Sequence, residues 1–210
     1  MATTGTATSR ERILAAARRE VETKGILGLR VQDVAEEARV SVPLMYKYFG
    51  DRDGLLAEVL GDMFEEFVLE SIDSAEAYFH SLQDPTVEDL LTLITLPQQD
   101  YRRPRRWFRV QILAASMEIP ALRLRLRLTQ AAIQERMTAF MDEVQNKLAN
   151  GARPVSPAAL ALMIQTYSHG FVLNDLLEEE GASVTSDEFA HLMRIMFSAT
   201  MRNDSLHSVD

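Results

Sequence analysis

The chain has 210 residues, room for one or two domains with a sizeable core, and 47% of them are hydrophobic, as in an ordinary globular protein. It has no cysteine, which excludes a disulfide framework and any thiolate nucleophile or metal site. The net charge of −9 argues at first against nucleic acid, but residues 1–56 hold nine Lys and Arg against eight Asp and Glu, a balance of +1, which leaves −10 for the remainder.

The start, MATTGTATS, has neither the basic nor the apolar part of a signal peptide, so residues 1–9 read as a disordered polar tip. Thr8 to Glu11 has the spacing of a capping box. The helix it opens carries Ile13, Leu14, Ala17 and Val21 and stops at Gly25. Val31, Val34, Ala35 and Ala38 fall at i, i+3, i+4 and i+7, one face of a second helix. Ser41 can cap a third, and Pro43 sits in its first turn, where a missing N–H costs little. Met45 and Phe49 point one way, which leaves Val42, Pro43, Leu44, Tyr46 and Lys47 outside. So many apolar and aromatic groups beside one cation suit a surface that meets base edges, thymine methyls and phosphates.

Asp51 caps a long fourth helix from Arg52 to about Leu82, ended by Asp84-Pro85. Thr86 to Asp89 opens a fifth through Leu93 and Ile94, which Pro97 interrupts. Arg102, Arg103, Pro104, Arg105 and Arg106 form a basic joint into a helix from Trp107 to about Glu118. Pro120 starts a helix to about Asn150, ended by Gly151. Ser156-Pro157 opens another that reaches Glu180 and stops at Gly181. Thr185 to Glu188 is a second capping box, for a last helix through Leu192, Met193, Met196 and Phe197. Residues 204–210 read as a polar tail. There are no alternating strand runs, and no apolar run approaches the ~20 residues of a membrane span.

From Arg10 to Leu56 these spacings resemble the TetR family of one-component transcriptional regulators. The matching positions are Ile13, Leu14, Ala17, Val21, Gly25, Arg30, Val34-Ala35, Ala38 to Ser41, Met45-Tyr46, Tyr48-Phe49, Asp51 to Asp53 and Leu55-Leu56. The resemblance implies an all-α fold: a three-helix helix-turn-helix DNA-binding head over 10–56, then a helical effector-binding and dimerisation domain over 57–203. It implies DNA contacts from Arg30, Val42, Pro43, Leu44, Tyr46, Lys47, Tyr48 and Arg52. Two departures stand out. Arg30 occupies a position usually held by a capping Thr or Ser, and Arg39 replaces the usual turn glycine, so a strained turn is expected. Tyr48 can equally be a core edge with a wet hydroxyl, and Arg52 can equally form a salt bridge with Asp51 or Asp53.

In the second part the likeness is one of architecture. The candidates for a ligand pocket are Phe64, Phe67, Tyr101, Trp107, Phe108, Ile112, Met117, Phe140, Met163, Tyr167 and Phe171, because ten methionines and several aromatics suit an adaptable apolar cavity. The same stripes suit a solid core. Arg102 to Arg109 has three open readings: pairing with acids such as Glu65, Glu66 or Glu70, contact with an anionic effector, or contact with DNA. His169 reads as a satisfied core histidine, with Gln165 and Asn174 as possible polar readers. Leu160, Ile164, Leu192, Met196 and Phe197 are the expected dimer interface, as two helices from each chain can form a four-helix bundle.

No Gly-rich phosphate loop, Gly-x-Ser-x-Gly or His-Glu-x-x-His is present, so no enzyme and no cofactor are expected. The expectation is a cytoplasmic homodimeric repressor with no membrane partner, bound to double-stranded operator DNA and released by a small, mainly apolar ligand. Two alternatives stay open: a dimeric DNA-binding protein without an effector, and a helical partner-binding protein with a vestigial head.

Overall fold

The computed structural model describes residues 7–95, 100–149, 155–178 and 186–201. Every regular element among them is helical: α1 (Ser9–Gly28), α2 (Val31–Ala38), α3 (Val42–Phe49), α4 (Arg52–Ser81), α5 (Val87–Thr95), a 3-10 turn (Asp100–Arg102), α6 (Arg103–Glu118), α7 (Pro120–Leu148), α8 (Pro157–Gly170), α9 (Val172–Glu178) and α10 (Ser186–Met201). The all-α reading stands. No helix among the described residues is long and apolar enough to cross a membrane.

The chain divides into two compact units. One comprises Met1–Glu66 with Ile112–Thr129, the other Phe67–Gln111 with Gln130–Asp210. The unit that holds α1 to α3 is therefore larger than residues 10–56. Apolar residues of the first half of α4, Leu55, Leu56, Leu60 and Phe64 among them, are buried and extend its core.

In the first unit the helix ends follow local chemistry. Thr8 caps α1 reciprocally: the Glu11 N–H donates to Thr8 Oγ1 (3.2 Å) and the Thr8 N–H to Glu11 Oε2 (2.7 Å). The helix thus begins inside the stretch expected as a tip. Gly25, with φ +75°, breaks it where the sequence suggested. Val31, Val34, Ala35 and Ala38 are all buried, as their spacing requires. α2 ends at Arg39 in the left-handed conformation, φ 54° and ψ 51°. The strain is local, since the Arg39 and Val40 N–H groups still close on Glu36 O (3.1 Å) and Ala35 O (3.0 Å). Arg39→Gly is expected to raise stability by about 1 kcal/mol, because a Cβ in this conformation crowds its own backbone; urea unfolding checks this.

Ser41 and Asp51 cap α3 and α4, accepting from the N–H groups of Leu44 (3.4 Å) and Gly54 (2.7 Å). At Gly54 the chain comes so close to the end of α3 that a Cβ would sit 1.9 Å from the Phe49 carbonyl oxygen. Gly54→Ala must therefore push α3 and α4 apart. It is expected to cost about 1–3 kcal/mol and to weaken DNA binding; unfolding midpoint and DNA affinity are the two readouts.

In the second unit Thr86 and Asp89 form the reciprocal cap of α5: the Thr86 N–H donates to Asp89 Oδ2 (2.9 Å) and the Asp89 N–H to Thr86 Oγ1 (3.3 Å). α6 starts at Arg103, four residues before the expected Trp107, because Pro104 fits a first turn that needs no N–H. The helix expected from Pro157 to Glu180 is instead two, α8 and α9, separated at Gly170-Phe171. Glycine is a weak helix former, and the Asn174 N–H turns to Phe171 O at 3.0 Å in a tighter i+3 bond. The expected breaks at Pro97, Gly151 and Gly181, the Thr185 cap, residues 1–6 of the tip and the tail lie outside the described residues.

Candidate DNA-binding head and effector cavity

α3 presents two faces. Met45 and Phe49 are buried, whereas Pro43, Tyr46, Lys47 and Tyr48 are exposed and Val42 and Leu44 half-buried. Tyr46 is 44% and Tyr48 46% accessible, so both rings reach solvent. Arg30 is exposed at the N-cap of α2 and makes no side-chain cap hydrogen bond there.

The head's +1 balance is less informative than the way its cations are used. Arg10 pairs with Glu58 and lies over the Phe49 ring. Arg18 pairs with Glu22 and Glu66, Arg19 with Glu37, and Lys24 with Glu20 and Asp33. Arg12 ties α1 to the end of α2, donating from Nε to Ala38 O (3.1 Å) and from Nη1 to Ala7 O (2.9 Å). Arg52 donates to the carbonyls of Leu29 (3.2 Å), Ile26 (3.2 Å) and Leu27 (3.4 Å), with Asp53 more distant at 3.9 Å. Its guanidinium thus braces the end of α1 and the link to α2, a use the sequence reading did not foresee. Arg30, Arg39 and Lys47 are left: none makes a hydrogen bond or ion pair through its side chain among the described residues, and all three border α2 and α3. A long cation with no internal partner is free to meet phosphate.

The second unit holds a cavity of about 120 Å³. α4 supplies Phe67, Val68, Ser71, Ile72 and Ala75, and α5 supplies Leu90 and Leu93. α7 contributes Gln130, Met137, Phe140 and Met141; α8 contributes Ile164, Gln165, Ser168 and His169. Arg102, Arg105, Arg106 and Arg109 complete the lining.

Of the eleven pocket candidates only Phe67 and Phe140 line this cavity. Phe64 and Ile112 are instead fully buried in solid core, while Tyr101 and Met117 are largely exposed. Trp107 and Phe108 leave the cavity to the arginines beside them on α6, Phe108 packing edge-on against Phe67 at 6.1 Å. Met163 is half-buried on α8 and turned away from the cavity. Tyr167 lies outside it too, stacked on Phe189 at 4.7 Å, and Phe171 lies under the Arg106 guanidinium at 5.2 Å. The expected interface residues differ in burial. Leu160 and Phe197 are buried within the chain and Ile164 lines the cavity, so these three stripes are covered internally; Leu192 and Met196 are exposed.

The arginine run is engaged mainly inside the second unit. Arg105 pairs with Glu70, one of the three acids expected; Glu65 pairs with Arg125 and Glu66 with Arg18. Arg106 forms a fully buried pair with Asp175, including Nε to Oδ2 at 3.1 Å. Arg103 donates to the Asp175 carbonyl (2.8 Å). Arg102 donates to Ser71 Oγ (2.9 Å) and the Tyr101 hydroxyl (3.0 Å). Arg109 donates to His169 Nε2 (2.9 Å), and burial pushes its pKa down to about 10. His169 Nδ1 faces the Gln165 carbonyl at 2.8 Å; a carbonyl only accepts, so Nδ1 carries the proton. Burial, and then the Arg109 charge, hold His169 below its ordinary pKa and therefore neutral at pH 7. It is a satisfied histidine. Gln165 lines the cavity and Asn174 does not. Sequence reasoning missed Ser71, Leu90, Leu93, Met137 and Ser168. One signal was available: Arg102, Arg105, Arg106 and Arg109 repeat at helical spacing, a single face rather than a run.

The profile of bacterial regulatory proteins of the tetR family matches residues 13–59, the segment from α1 into α4. A sequence comparison with curated proteins gives no match. Among solved structures, a protein from Rhodococcus sp. described as a TetR-family transcriptional regulator is 27% identical, with a TM-score of 0.59 over 92% of this chain and 98% of that one. GusR of Salmonella enterica (21% identical, TM-score 0.59, 92% and 95% covered) is similar in fold. So is a protein from Saccharomonospora viridis described as a transcriptional regulator and solved with choline (21%, TM-score 0.57, 91% and 94% covered). Residues 13–59 thus match the tetR family of bacterial regulatory proteins, and the helical layout of the chain is similar to that of a solved TetR-family regulator.

Proposed function

We propose that the chain is a homodimeric repressor that leaves its operator when a small ligand with an apolar body enters the second unit. The observation that carries this is the outward face of α3, apolar and aromatic groups around Lys47, flanked by the otherwise unengaged Arg30 and Arg39. Residues 10–56 read the DNA through Arg30, Val42, Pro43, Leu44, Tyr46, Lys47 and Tyr48. Arg52 serves mainly as a brace that presents α3. Two heads read two halves of a roughly palindromic operator about one helical turn apart, ~34–36 Å.

Residues 57–203 carry the effector site and the dimer contact. The internal cavity favours a ligand-controlled protein over one whose body only dimerises, and the choline found in the Saccharomonospora viridis protein supports a small-molecule site in this fold. For the dimer we choose the outward apolar stripe of α10, Leu192, Ile195 and Met196, with Leu162 of α8, because these stay exposed within one chain. The ligand shifts the balance between DNA-competent and incompetent states by its differential affinity for them, acting through α4, which contributes residues to both units.

Fluorescence anisotropy against DNA from upstream of the gene, over a salt series and with random DNA as control, tests this. Salt-dependent binding well above the control is the expected result. Binding to neither DNA at low salt rejects the reading.

A further inference from the structure

Among the side chains that commonly hydrogen-bond base edges, α3 carries Lys47 alone; Arg, Asn, Gln, Asp, Glu, Ser and Thr are missing from it. The one amide of the head, Gln32, lies on α2, and the first helix of a helix-turn-helix crosses the DNA backbone. In that motif the first residues of the second helix meet the bases, and here they are Val42, Pro43 and Leu44. Their backbone adds little. Pro43 has no N–H, and the Leu44 N–H is already used by Ser41, 3.4 Å from its Oγ and 3.0 Å from its carbonyl oxygen. This turn thus offers methyls, methylenes and a proline ring.

On the major-groove edge of the bases one group is apolar, the C5-methyl of thymine. Pro43 is exposed, with the half-buried Val42 and Leu44 on either side of it. Lys47 follows four residues later on the same face, one turn further along, and is flanked by Arg30 and Arg39. Such cations hold a helix on the phosphates of any duplex, so discrimination falls to the first turn.

We propose that the head reads its half-site chiefly through C5-methyl groups, and that at the base pairs facing Val42, Pro43 and Leu44 it does not distinguish thymine from 5-methylcytosine. Both bases place a methyl at the same point of the groove. They and their partner purines differ in hydrogen-bonding groups, which this turn has no side-chain donor or acceptor to read. Cytosine methylation at those pairs would therefore create an operator that unmethylated cytosine does not. The inference rests on α3 being the recognition helix, as proposed above.

The test begins with enrichment of a preferred duplex from a random pool by the full chain. Anisotropy then measures its affinity after single-base exchanges, which leave the protein and its folding untouched. Thymine→deoxyuridine removes the methyl and keeps the base pairing. At the contacted pairs it is expected to weaken binding about three- to fivefold, the value of one buried methyl, and about tenfold or more when both half-sites are changed. Exchange of the same T·A pair for 5-methylcytosine·G should keep the thymine affinity, whereas plain C·G should bind as weakly as the deoxyuridine duplex. Leu44→Ala should erase the difference between thymine and deoxyuridine at its own pair. An enriched duplex that tolerates deoxyuridine at every position, or that loses as much affinity with 5-methylcytosine as with cytosine, would overturn the proposal and leave the recognition helix in place. A loss on exchange for 7-deazaguanine, with none on deoxyuridine, would give the readout to a cation such as Arg39 or Lys47 and overturn it as well. Enrichment of no sequence would overturn the proposal together with the DNA-binding reading.

Discussion

Asp175→Ala is expected to lower the unfolding free energy by about 3–5 kcal/mol, the largest loss among the substitutions considered. The Asp175 side chain is 1% and that of Arg106 4% accessible, so the pair lies almost wholly away from water. Two parallel contacts join them, and Arg106 also lies over the Phe171 ring. Removing the carboxylate takes the Asp175 ion pair away from a buried guanidinium, and the loss of that pairing away from water dominates the cost. α9 adds to the effect. Its seven residues are too few to hold a helix alone, and Asp175 ties it to α6 through the ion pair and through its carbonyl, which accepts from Arg103. The double variant Arg106→Met with Asp175→Leu should recover most of the loss, because two apolar side chains leave no buried charge. Urea unfolding of the three variants decides the matter. A loss under about 1 kcal/mol for Asp175→Ala would mean that water reaches the pair in solution.

Lys47→Ala is expected to weaken DNA binding by about 10- to 100-fold at moderate salt and to flatten the salt dependence by about two phosphate contacts, one from each head. The loss should be similar for operator and random DNA, since a lysine on phosphate carries no base information. The reasoning starts from the electrostatics of the head. Arg10, Arg18, Arg19 and Lys24 are matched by carboxylates, and Arg12 and Arg52 hold backbone carbonyls, so the nearly neutral balance conceals a few free cations beside α3. Arg19→Ala is the control: its charge is matched by Glu37, so the salt slope should stay as it is. An unchanged slope in Lys47→Ala would remove this residue from the interface and with it the assignment of α3 as the recognition helix.

The head was legible because its signals are local. The i, i+3, i+4, i+7 spacing of α2, the Ser41 cap, the Pro43 turn and the Met45–Phe49 pair each act within a few residues, and each appears as the spacing requires. Even the departure at Arg39 was readable as a left-handed turn without glycine. The use of Arg52 was not, since its partners, Ile26 and Leu29, lie more than twenty residues back.

In the second unit the helices were readable and their neighbours were not. An apolar stripe shows that a helix has something to cover, but not what covers it. Phe64 and Ile112 met solid core, Leu160 and Phe197 met their own chain, and Leu192 and Met196 met no cover within it. The arginines show the same limit. Their number and helical spacing stand in the sequence, whereas Glu70 thirty-five residues before Arg105 and Asp175 sixty-nine residues after Arg106 come near only when the chain folds. Sequence alone thus determined the all-helical layout, the helix-turn-helix and its exposed face, because backbone capping and side-chain periodicity are short-range. Which cations are matched, which aromatics are core and where the cavity lies were decided by tertiary packing, because charge pairing and burial depend on neighbours distant in the chain.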